Sequence, residues 1–209
     1  MKKIVFFRHA QSVANIGGVS QPNAEIELTA FGHQQALSLV DQNIIKPDAI
    51  FTSAFLRTQQ TAAPLAKKYQ LTAESLACLN EFNIFDFDLI KDLNGQQRLP
   101  LTLAYWRAAD PDKKHGANAQ SFNEFNQQVI AAIPSIRQLP SNSVIFGHGM
   151  WFSLFAWHVL VDSTKRFNTL QLRSFFKFQR AFPVSNLAAF ELLIDSGSTA
   201  IYLRQLKLT

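Results

Sequence analysis

Disulfide bonds within the chain are excluded, because its 209 residues contain a single cysteine, Cys78. A lone cysteine is typical of proteins from reducing compartments, so we expect a cytoplasmic protein. Long apolar runs are also missing. The run at residues 4–7 stops at Arg8 and His9, which is too short for a signal peptide, and no stretch approaches the roughly 18 apolar residues of a membrane span. The sequence therefore predicts no membrane partner.

Charge of one sign is not concentrated anywhere in the sequence. The formal net charge of +5 comes from 20 basic and 15 acidic side chains that are spread along the chain. No basic run with interleaved aromatic residues is present, so we expect no nucleic-acid partner. The chain has no Gly-x-Ser-x-Gly motif, and Gly17-Gly18 lacks the lysine of a phosphate-binding loop. These absences argue against a serine hydrolase and a nucleotide-binding protein, while the modest positive charge is compatible with a small anionic ligand.

Apolar residues make up 47% of the chain, which is enough for a full core. Patterns of strand and helix alternate over residues 3–69 and 143–160, and this predicts parallel strands joined by right-handed crossovers. Two further strands at residues 186–194 and 199–206, with a turn around Ser196-Gly197, predict a hairpin. The expected fold class is α/β: a three-layer α/β/α sandwich with a mostly parallel central sheet and an antiparallel edge.

The segment from about 82 to 120 is less regular than its surroundings and contains two glycines and two prolines. We expect a single domain over residues 1–209 in which this segment is a partly helical insertion above the active site. Phe82, Phe85, Phe87 and Trp106 in this segment are explained equally well by core packing and by an apolar wall beside a substrate.

Local signals predict the bounds of several elements. Thr29 is a good helix cap, for a helix that we expect to end near Pro47. Pro64 predicts a kink or break in the helix over residues 54–69. We expect a short strand at residues 75–79. Ser121 with Glu124 forms a capping box that begins another helix.

Three predicted strand ends carry side chains suited to an anion. Arg8 and His9 follow the first strand, Arg57 lies in the first turn of the helix after the second, and His148 follows the strand at residues 143–146. The carboxyl ends of parallel strands meet at one edge of a sheet, so we expect these four side chains to converge. Two guanidinium groups can each donate paired hydrogen bonds to phosphate oxygens. The sequence therefore predicts a phosphate site.

Two histidines beside such a site suggest that one is a nucleophile. An imidazole can attack phosphorus and form a covalent intermediate, and surrounding positive charge favours its neutral form. The leaving oxygen then needs a proton donor. Glu81 is the best-placed carboxyl group, with Asp86 and Asp88 as alternatives in the same loop.

The sequence resembles the histidine phosphatase superfamily, also called the phosphoglycerate-mutase-like family. The resemblance begins with Arg8-His9-Ala10-Gln11-Ser12-Val13-Ala14-Asn15, which is similar to the family's Arg-His-Gly-x-Ser/Thr-x-x-Asn motif. It continues with Ser53-Ala54-Phe55-Leu56-Arg57-Thr58, Leu79-Asn80-Glu81 and Gly147-His148-Gly149. Two further similar segments lie at residues 28–36 and 121–125. Six segments in the family's order make this resemblance specific.

The resemblance implies a phosphatase in which His9 becomes phosphorylated and Glu81 exchanges a proton with the leaving group and with water. It implies no metal and no other cofactor, a small phosphorylated substrate, and leaves a homodimer open. The residues implied to hold the phosphoryl oxygens are Arg8, Arg57 and His148, and those implied to line the phosphate pocket are Ser12, Asn15 and Gly149.

Two departures from the family pattern keep alternatives open. Ala10 replaces the usual glycine, which would allow a weakly catalytic relative that binds phosphorylated ligands. After Glu81 the chain lacks the Arg-His/Met-Tyr-Gly run of the true mutases, so we expect a phosphatase, with phosphoglycerate-mutase-type transfer as the alternative. Gly149 after His148 separates the chain from the acid-phosphatase branch, where an aspartate follows that histidine.

Overall fold

A computed structural model describes residues 1–42, 45–161, 165–195, 197–198 and 200–208. Within these ranges the chain forms six strands and six α-helices. The strands are β1 (Lys2–Arg8), β2 (Ala49–Thr52), β3 (Ala73–Ser75), β4 (Ser143–Gly147), β5 (Ala189–Ile194) and β6 (Ile201–Leu206). The helices are α1 (Ala30–Ser38), α2 (Leu56–Tyr69), α3 (Gly95–Ala108), α4 (Phe122–Gln138), α5 (Gly149–Leu160) and α6 (Thr169–Ala181). Among the described helices, none is both long and apolar enough to cross a membrane.

The strands form one mixed sheet in the order β3-β2-β4-β1-β5-β6. The pairs β2-β3, β2-β4 and β1-β4 are parallel, whereas β5 is antiparallel to both β1 and β6. The predicted parallel sheet with an antiparallel edge is therefore confirmed. β1 and β4 are central because their residues are apolar on both faces, as expected for strands covered by helices on two sides.

Helices cover both faces of the sheet, and β1 contributes alternately to two cores. Ile4 and Phe6 point into a core shared with α4, α5 and α6. Val5 and Phe7 point into a second core shared with α1 and α2. Successive side chains of a strand face opposite sides, so one apolar strand supports both layers. This arrangement confirms the three-layer sandwich and fixes the carboxyl end of β1 at the centre of the sheet edge.

Two predicted helix caps are present. The Thr29 hydroxyl accepts a hydrogen bond from the Gly32 N–H at the start of α1. Ser121 and Glu124 form the predicted capping box at the start of α4. In the predicted hairpin turn, Gly197 donates its N–H to Asp195 Oδ1, whereas Ser196 lies outside the described residues.

Two predicted element bounds are wrong, and a break at Pro64 is absent. Helix α1 ends at Ser38, well before Pro47. Helix α2 continues through Pro64 without a break. The proline lacks an N–H and so removes one backbone hydrogen bond of the helix, but buried residues on either side of it hold the helix in place. Strand β3 covers Ala73–Ser75, and residues 77–79, predicted as a strand, form a short 3₁₀ helix instead.

Candidate active site

The register of two parallel strands brings both predicted histidines together. Arg8 at the end of β1 lies opposite Gly147 at the end of β4, and the His9 N–H donates to the Gly147 carbonyl at 2.9 Å. The residues that follow Arg8 and Gly147 are His9 and His148, and both histidines are buried. The ring centroids of His9 and His148 are 5.3 Å apart.

The hydrogen bonds of His9 define its tautomer. Its Nδ1 lies 2.7 Å from the Ala10 carbonyl oxygen, which can only accept, so Nδ1 carries the proton. The other nitrogen, Nε2, consequently keeps its lone pair. Arg57 Nε lies 3.3 Å from this Nε2 and donates to it. The nucleophilic nitrogen implied by the sequence therefore faces a guanidinium group.

Arg57 is oriented by Asn23, a residue that sequence reasoning missed. The two terminal nitrogens of Arg57 donate to the Asn23 carbonyl at 2.6 Å and to its side-chain Oδ1 at 3.0 Å. The guanidinium group also lies over the Phe55 ring, 5.0 Å from its centroid. Asn23 lies in a polar loop without a recognisable motif, so no sequence signal could have identified it.

Arg8 and Gly149 are in direct contact. Arg8 Nη1 donates to the Val184 carbonyl at 2.6 Å, while its Nε is buried without a partner among the described residues. A Cβ at position 149 would lie 3.3 Å from Arg8 Nε and 3.4 Å from its Cδ. The missing side chain of Gly149 thus leaves room for the guanidinium group.

His148 is held by Ser53, whose role the sequence did not reveal although it lies in a matched motif. Ser53 Oγ is 2.8 Å from His148 Nε2 and 2.9 Å from Thr58 Oγ1. The opposite ring nitrogen, Nδ1, is buried and has no partner among the described residues. A buried donor or acceptor without a partner is unusual and is often satisfied by a ligand.

The Glu81 carboxyl group caps the start of α5. One oxygen accepts from the N–H groups of Phe82 and Trp151, and the other accepts from Met150. A carboxylate is stabilised at a helix N-terminus by these free N–H groups and by the helix dipole. Glu81 therefore connects the loop after β3 with the helix that follows His148.

Asp86 and Asp88, the alternative proton donors, lie in the same segment. The Asp86 carboxylate accepts from the backbone N–H groups of Asp88 and Asn118, and these bonds lower its pKa. A carboxyl group with a lowered pKa is a poorer proton donor near neutral pH. The pKa of the Glu81 carboxyl group is raised instead, which makes Glu81 a better proton donor than Asp86.

The side chains of Ser12 and Asn15 bond to each other. Asn15 Oδ1 accepts from the Ser12 hydroxyl, from the Ser12 N–H and from Asn186 Nδ2, each at 3.0 Å. Asn186 Nδ2 also donates to the His9 carbonyl at 2.9 Å. These bonds fix the loop that follows His9, and Asn186 is a further residue that the sequence motifs did not identify.

Ala10 is accommodated without distortion. It is fully buried in the core shared with α1 and α2, so its methyl group packs with apolar residues. Its N–H donates to Thr61 Oγ1 at 3.1 Å, and its backbone is not in the left-handed region that favours glycine. Nothing in this geometry requires a glycine at position 10.

Burial and positive charge shift the pKa values of the site in one consistent direction. Burial, and then Arg57 and Arg8, lower the pKa of His9 well below 6.5. The same causes, together with His9, lower the pKa of His148. Burial lowers the pKa of Arg57 to about 10, so this group stays cationic at neutral pH. Both imidazoles are therefore neutral at neutral pH and both arginines are charged.

Glu81 is shifted in the opposite direction. Burial raises the pKa of its carboxyl group, although its hydrogen bonds to Phe82 and Met150 and the charges of Arg57 and Arg8 act against that rise. A carboxyl group with a raised pKa can be protonated in part near neutral pH and donate that proton.

Two cavities adjoin the site. The larger, of about 520 Å³, is bounded by Glu81, Phe55 and Asn23. The smaller, of about 200 Å³, shares Asn23, Asn83 and Phe87 with it. The described linings of these two cavities include none of His9, Arg8, Arg57 and His148.

Two guanidinium groups and two neutral imidazoles at the carboxyl edge of an α/β sheet form a site suited to binding and transferring a phosphoryl group. The model of the histidine phosphatase superfamily (branch 1) matches residues 4–175. The chain therefore belongs to the histidine phosphatase superfamily, and the class of enzyme that the sequence predicts is confirmed at the level of the family.

Solved structures share the whole fold with this chain. A candidate alpha-ribazole-5′-P phosphatase from Escherichia coli superposes with a TM-score of 0.75 at 21% identity, covering 99% of this chain and 96% of that one. A mycobacterial glucosyl-3-phosphoglycerate phosphatase gives 0.66 at 20% identity, covering 98% and 96%. A phosphoserine phosphatase from Entamoeba histolytica gives 0.68 at 16% identity, covering 100% and 96%. No curated protein sequence matches the chain.

Proposed function

We propose that the protein hydrolyses phosphomonoesters without a metal ion, through a phosphohistidine at His9. The observation that carries this proposal is the His9 tautomer: Nδ1 is bonded to the Ala10 carbonyl, and the lone pair of Nε2 lies 3.3 Å from Arg57. A neutral imidazole whose Nε2 carries no proton and lies beside a cation is arranged to attack a phosphorus atom whose oxygens that cation attracts.

In the first step Nε2 of His9 attacks phosphorus, and the bond from phosphorus to the ester oxygen breaks. Arg8, Arg57 and His148 donate hydrogen bonds to the phosphoryl oxygens and stabilise the negative charge that is spread over them in the transition state. Glu81 gives its proton to the departing oxygen, so the leaving group departs as a neutral alcohol.

In the second step water attacks the phosphorus of the phosphohistidine while the Glu81 carboxylate takes its proton. The bond from phosphorus to Nε2 breaks, inorganic phosphate is released, and His9 and protonated Glu81 are restored. The raised pKa of Glu81 supports both of its roles, because the group has to give and then regain one proton in each cycle.

The substrate is a small phosphorylated molecule under this proposal. The three similar structures are described as phosphatases of alpha-ribazole-5′-P, glucosyl-3-phosphoglycerate and phosphoserine, which are all small molecules. The proposal keeps the segment from about 82 to 120 as a cover over the site. Its support is that Asn83 and Phe87 of this segment line both cavities.

Trapping the intermediate tests this function. Brief mixing with a ³²P-labelled aryl phosphate, followed by an alkaline quench, should leave label on the wild-type protein that acid then releases, as expected for phosphohistidine. His9→Asn should carry no label and should lose at least a thousandfold in kcat. Unchanged turnover by a folded His9→Asn protein, checked by circular dichroism, would refute the proposal.

Removal of metal ions tests the second part of the proposal. Dialysis against EDTA should leave turnover of the aryl phosphate within about twofold of the untreated protein, because arginines supply the charge that Mg²⁺ supplies elsewhere. A loss of activity that added Mg²⁺ or Zn²⁺ restores would contradict metal independence.

A further inference from the structure

The smaller cavity beside the site has a distinct chemical lining. It measures about 200 Å³, below the usual range for drug-sized ligands, so it suits a group of about one ring. Its apolar lining residues are Ala14, Val19, Ile26, Phe82, Ile84, Phe85, Phe87 and Ile90. Its polar lining residues are Ser20, Gln21, Asn23, Asn83, Arg98 and Thr102.

This cavity is connected to the reacting groups through two of its walls. The carbonyl and side-chain oxygens of Asn23 accept hydrogen bonds from the two terminal nitrogens of Arg57. The Nε of Arg57 in turn donates to His9 Nε2. Phe82 follows Glu81 directly and donates its N–H to the Glu81 carboxyl group. Glu81 itself lines the larger cavity, and the smaller cavity adjoins that space through the shared walls of Asn23, Asn83 and Phe87. A leaving group that takes its proton from Glu81 can therefore extend past these walls into the smaller cavity.

Arg98 supplies the one formal charge in the described lining of this cavity. Its Nη1 is held by the Ser20 hydroxyl at 2.5 Å and by the Leu93 carbonyl at 3.1 Å, which positions the guanidinium group on the cavity wall. The hydrogen bonds that the Arg98 side chain makes to described residues all involve Nη1. Its Nε and Nη2 therefore remain as donors for a ligand.

The larger cavity has the opposite character. Its lining contains three carboxyl groups, those of Glu81, Asp86 and Asp88, and several amide side chains. The carboxylates of Asp86 and Asp88 would repel an anionic group there, whereas Arg98 would attract it in the smaller cavity. The two cavities thus separate an acidic, polar space from an apolar space that ends in a cation.

We propose that the smaller cavity binds the leaving group of the substrate, and that this group is an apolar ring with an anionic substituent that pairs with Arg98. The proposal rests on the proposed phosphatase function and specifies its substrate class. Apolar side chains bind the ring by removing it from water. The half-buried guanidinium group of Arg98 pairs with a carboxylate on the part of the ring that lies farthest from the phosphate.

Three phosphate esters of primary alcohols test the preference while keeping the chemical step similar. They are sn-glycerol 3-phosphate, benzyl phosphate and 4-carboxybenzyl phosphate. We expect kcat/KM for benzyl phosphate to exceed that for glycerol 3-phosphate at least tenfold. We expect a further gain of at least tenfold for the carboxylated ring.

Variants of the cavity assign these two gains to particular residues. Phe87→Ala should reduce the preference for benzyl over glycerol phosphate to threefold or less. Arg98→Gln should remove the additional preference for the carboxylated ring. Arg107→Gln is the matched control, because Arg107 is an exposed arginine on the same helix α3 and lies outside the cavity lining; it should keep both preferences.

The outcomes separate this inference from the proposed function. Hydrolysis of p-nitrophenyl phosphate with no preference among the three esters would overturn the substrate class and leave the phosphatase intact. The same holds if both preferences persist in the Phe87 and Arg98 variants. Failure to hydrolyse any of the four esters would overturn both proposals.

Discussion

At the scale of single residues, the site depends on which ring nitrogen of each histidine carries the proton. The Ala10 carbonyl assigns the proton of His9 to Nδ1. For His148, Ser53 contacts Nε2 and leaves Nδ1 without a partner among the described residues. If Ser53 donates to Nε2, Nδ1 carries the proton and can donate it to a phosphoryl oxygen. Ser53 is then a positioning residue that acts through His148.

Ser53→Ala tests this assignment. Without the hydrogen bond to Nε2, the proton of His148 should no longer be confined to Nδ1. We expect kcat/KM for an aryl phosphate to fall by about 10-fold to 100-fold. The free energy of unfolding should fall by about 1–3 kcal/mol, the usual cost of a buried polar group without its partner.

Nitrogen NMR of the imidazoles provides the decisive measurement, because a purely structural role for Ser53 would leave the tautomer of His148 unchanged. Ser38→Ala is the control: this exposed serine on α1 bonds only locally, to the Gln35 carbonyl, and its replacement should change neither activity nor the ring signals. A Ser53→Ala protein with wild-type activity and an unchanged His148 tautomer would refute the assignment.

The shifted pKa values also predict how the rate depends on pH. The proposed mechanism needs a neutral His9. Burial and two arginines lower the pKa of His9 below 6.5, so the rate should persist below pH 6.5 and fall only as His9 becomes protonated. Glu81 has to be protonated, and burial raises its pKa above 4.5, so the rate should fall again as rising pH ionises it. The profile of kcat/KM should be bell-shaped with its maximum on the acidic side of neutrality.

Glu81→Gln provides the comparison for this profile. It should lower kcat/KM about 100-fold for an ester of a poor leaving group and remove the loss of rate at high pH. If the alkaline limb persists unchanged in Glu81→Gln, Glu81 is not the proton donor.

At the scale of elements, the N-terminus of α5 brings three parts of the site together. His148 immediately precedes this helix, Gly149 begins it against Arg8, and the N–H groups of Met150 and Trp151 donate to Glu81. Free N–H groups at a helix start attract a carboxylate. One helix end therefore positions the second histidine, an arginine and the proposed acid relative to one another.

Gly149→Ala tests the contact between α5 and Arg8. The added Cβ would lie 3.3 Å from Arg8 Nε, so we expect the guanidinium group to shift and kcat/KM to fall about tenfold, equivalent to about 1.4 kcal/mol. The helix itself should tolerate alanine, which favours helix by about 1 kcal/mol over glycine.

A matched control is Gly197→Ala, where the nearest heavy atom to the added Cβ is Asp195 Oδ1 at 3.8 Å. Its activity should equal that of the wild type. Equal activity of Gly149→Ala, with a thermal unfolding curve like that of the wild type, would show that the close contact with Arg8 has no functional role.

Element boundaries were predicted well where a local signal exists and poorly where tertiary packing decides. Thr29 and Ser121 cap their helices as predicted, because a cap needs only neighbouring residues. The strand after α2 was misplaced, because β3 is a three-residue edge strand whose position depends on pairing with β2. Pro64 did not break α2, because packing of the helix face outweighed the local penalty.

At the scale of the whole molecule, folding places two neutral histidines in the interior. Burial lowers the pKa of both His9 and His148 below the value of 6.5 that they have when unfolded. The unfolded chain then binds more protons than the folded protein as the pH falls below 6.5. Stability should therefore be retained above pH 6.5 and be lost progressively as the pH decreases toward the lowered values.

Urea unfolding at pH 7.5 and pH 5.5 measures this loss. The free energy of unfolding should be lower at pH 5.5, and the difference should shrink in His148→Gln, which lacks one of the two buried imidazoles. Glu81 acts in the opposite sense, since a raised carboxyl pKa gives stability that is lost as the pH rises, so the comparison between variants is the informative quantity.

His33→Gln is the control for the urea experiment, because His33 is exposed on α1. It should retain the full difference between the two pH values. If the free energy of unfolding changes equally between pH 7.5 and pH 5.5 in the wild type and in His148→Gln, His148 does not take up a proton on unfolding in this pH range.

The sequence by itself determined the sheet, its two covered faces and the groups that meet at its edge. Apolar strands that are followed by Arg8-His9 and by His148 predict this arrangement, because parallel strands bring their carboxyl ends together. Each of these motifs consists of neighbouring residues and can therefore be read directly from the sequence. The resemblance of six segments to a known family was confirmed by the match over residues 4–175. The identity of the fold and of the cationic cluster was therefore predictable.

Only the tertiary structure decided how these groups are oriented. Asn23, Ser53 and Asn186 hold the proposed catalytic cluster from distant positions. Their hydrogen bonds span 34 to 177 positions of sequence and leave no periodic pattern to detect. Ala10 shows the same limit: the motif alone could not place its methyl group, which packs into the core in the structure. A side chain's direction depends on which surfaces the folded chain brings against it.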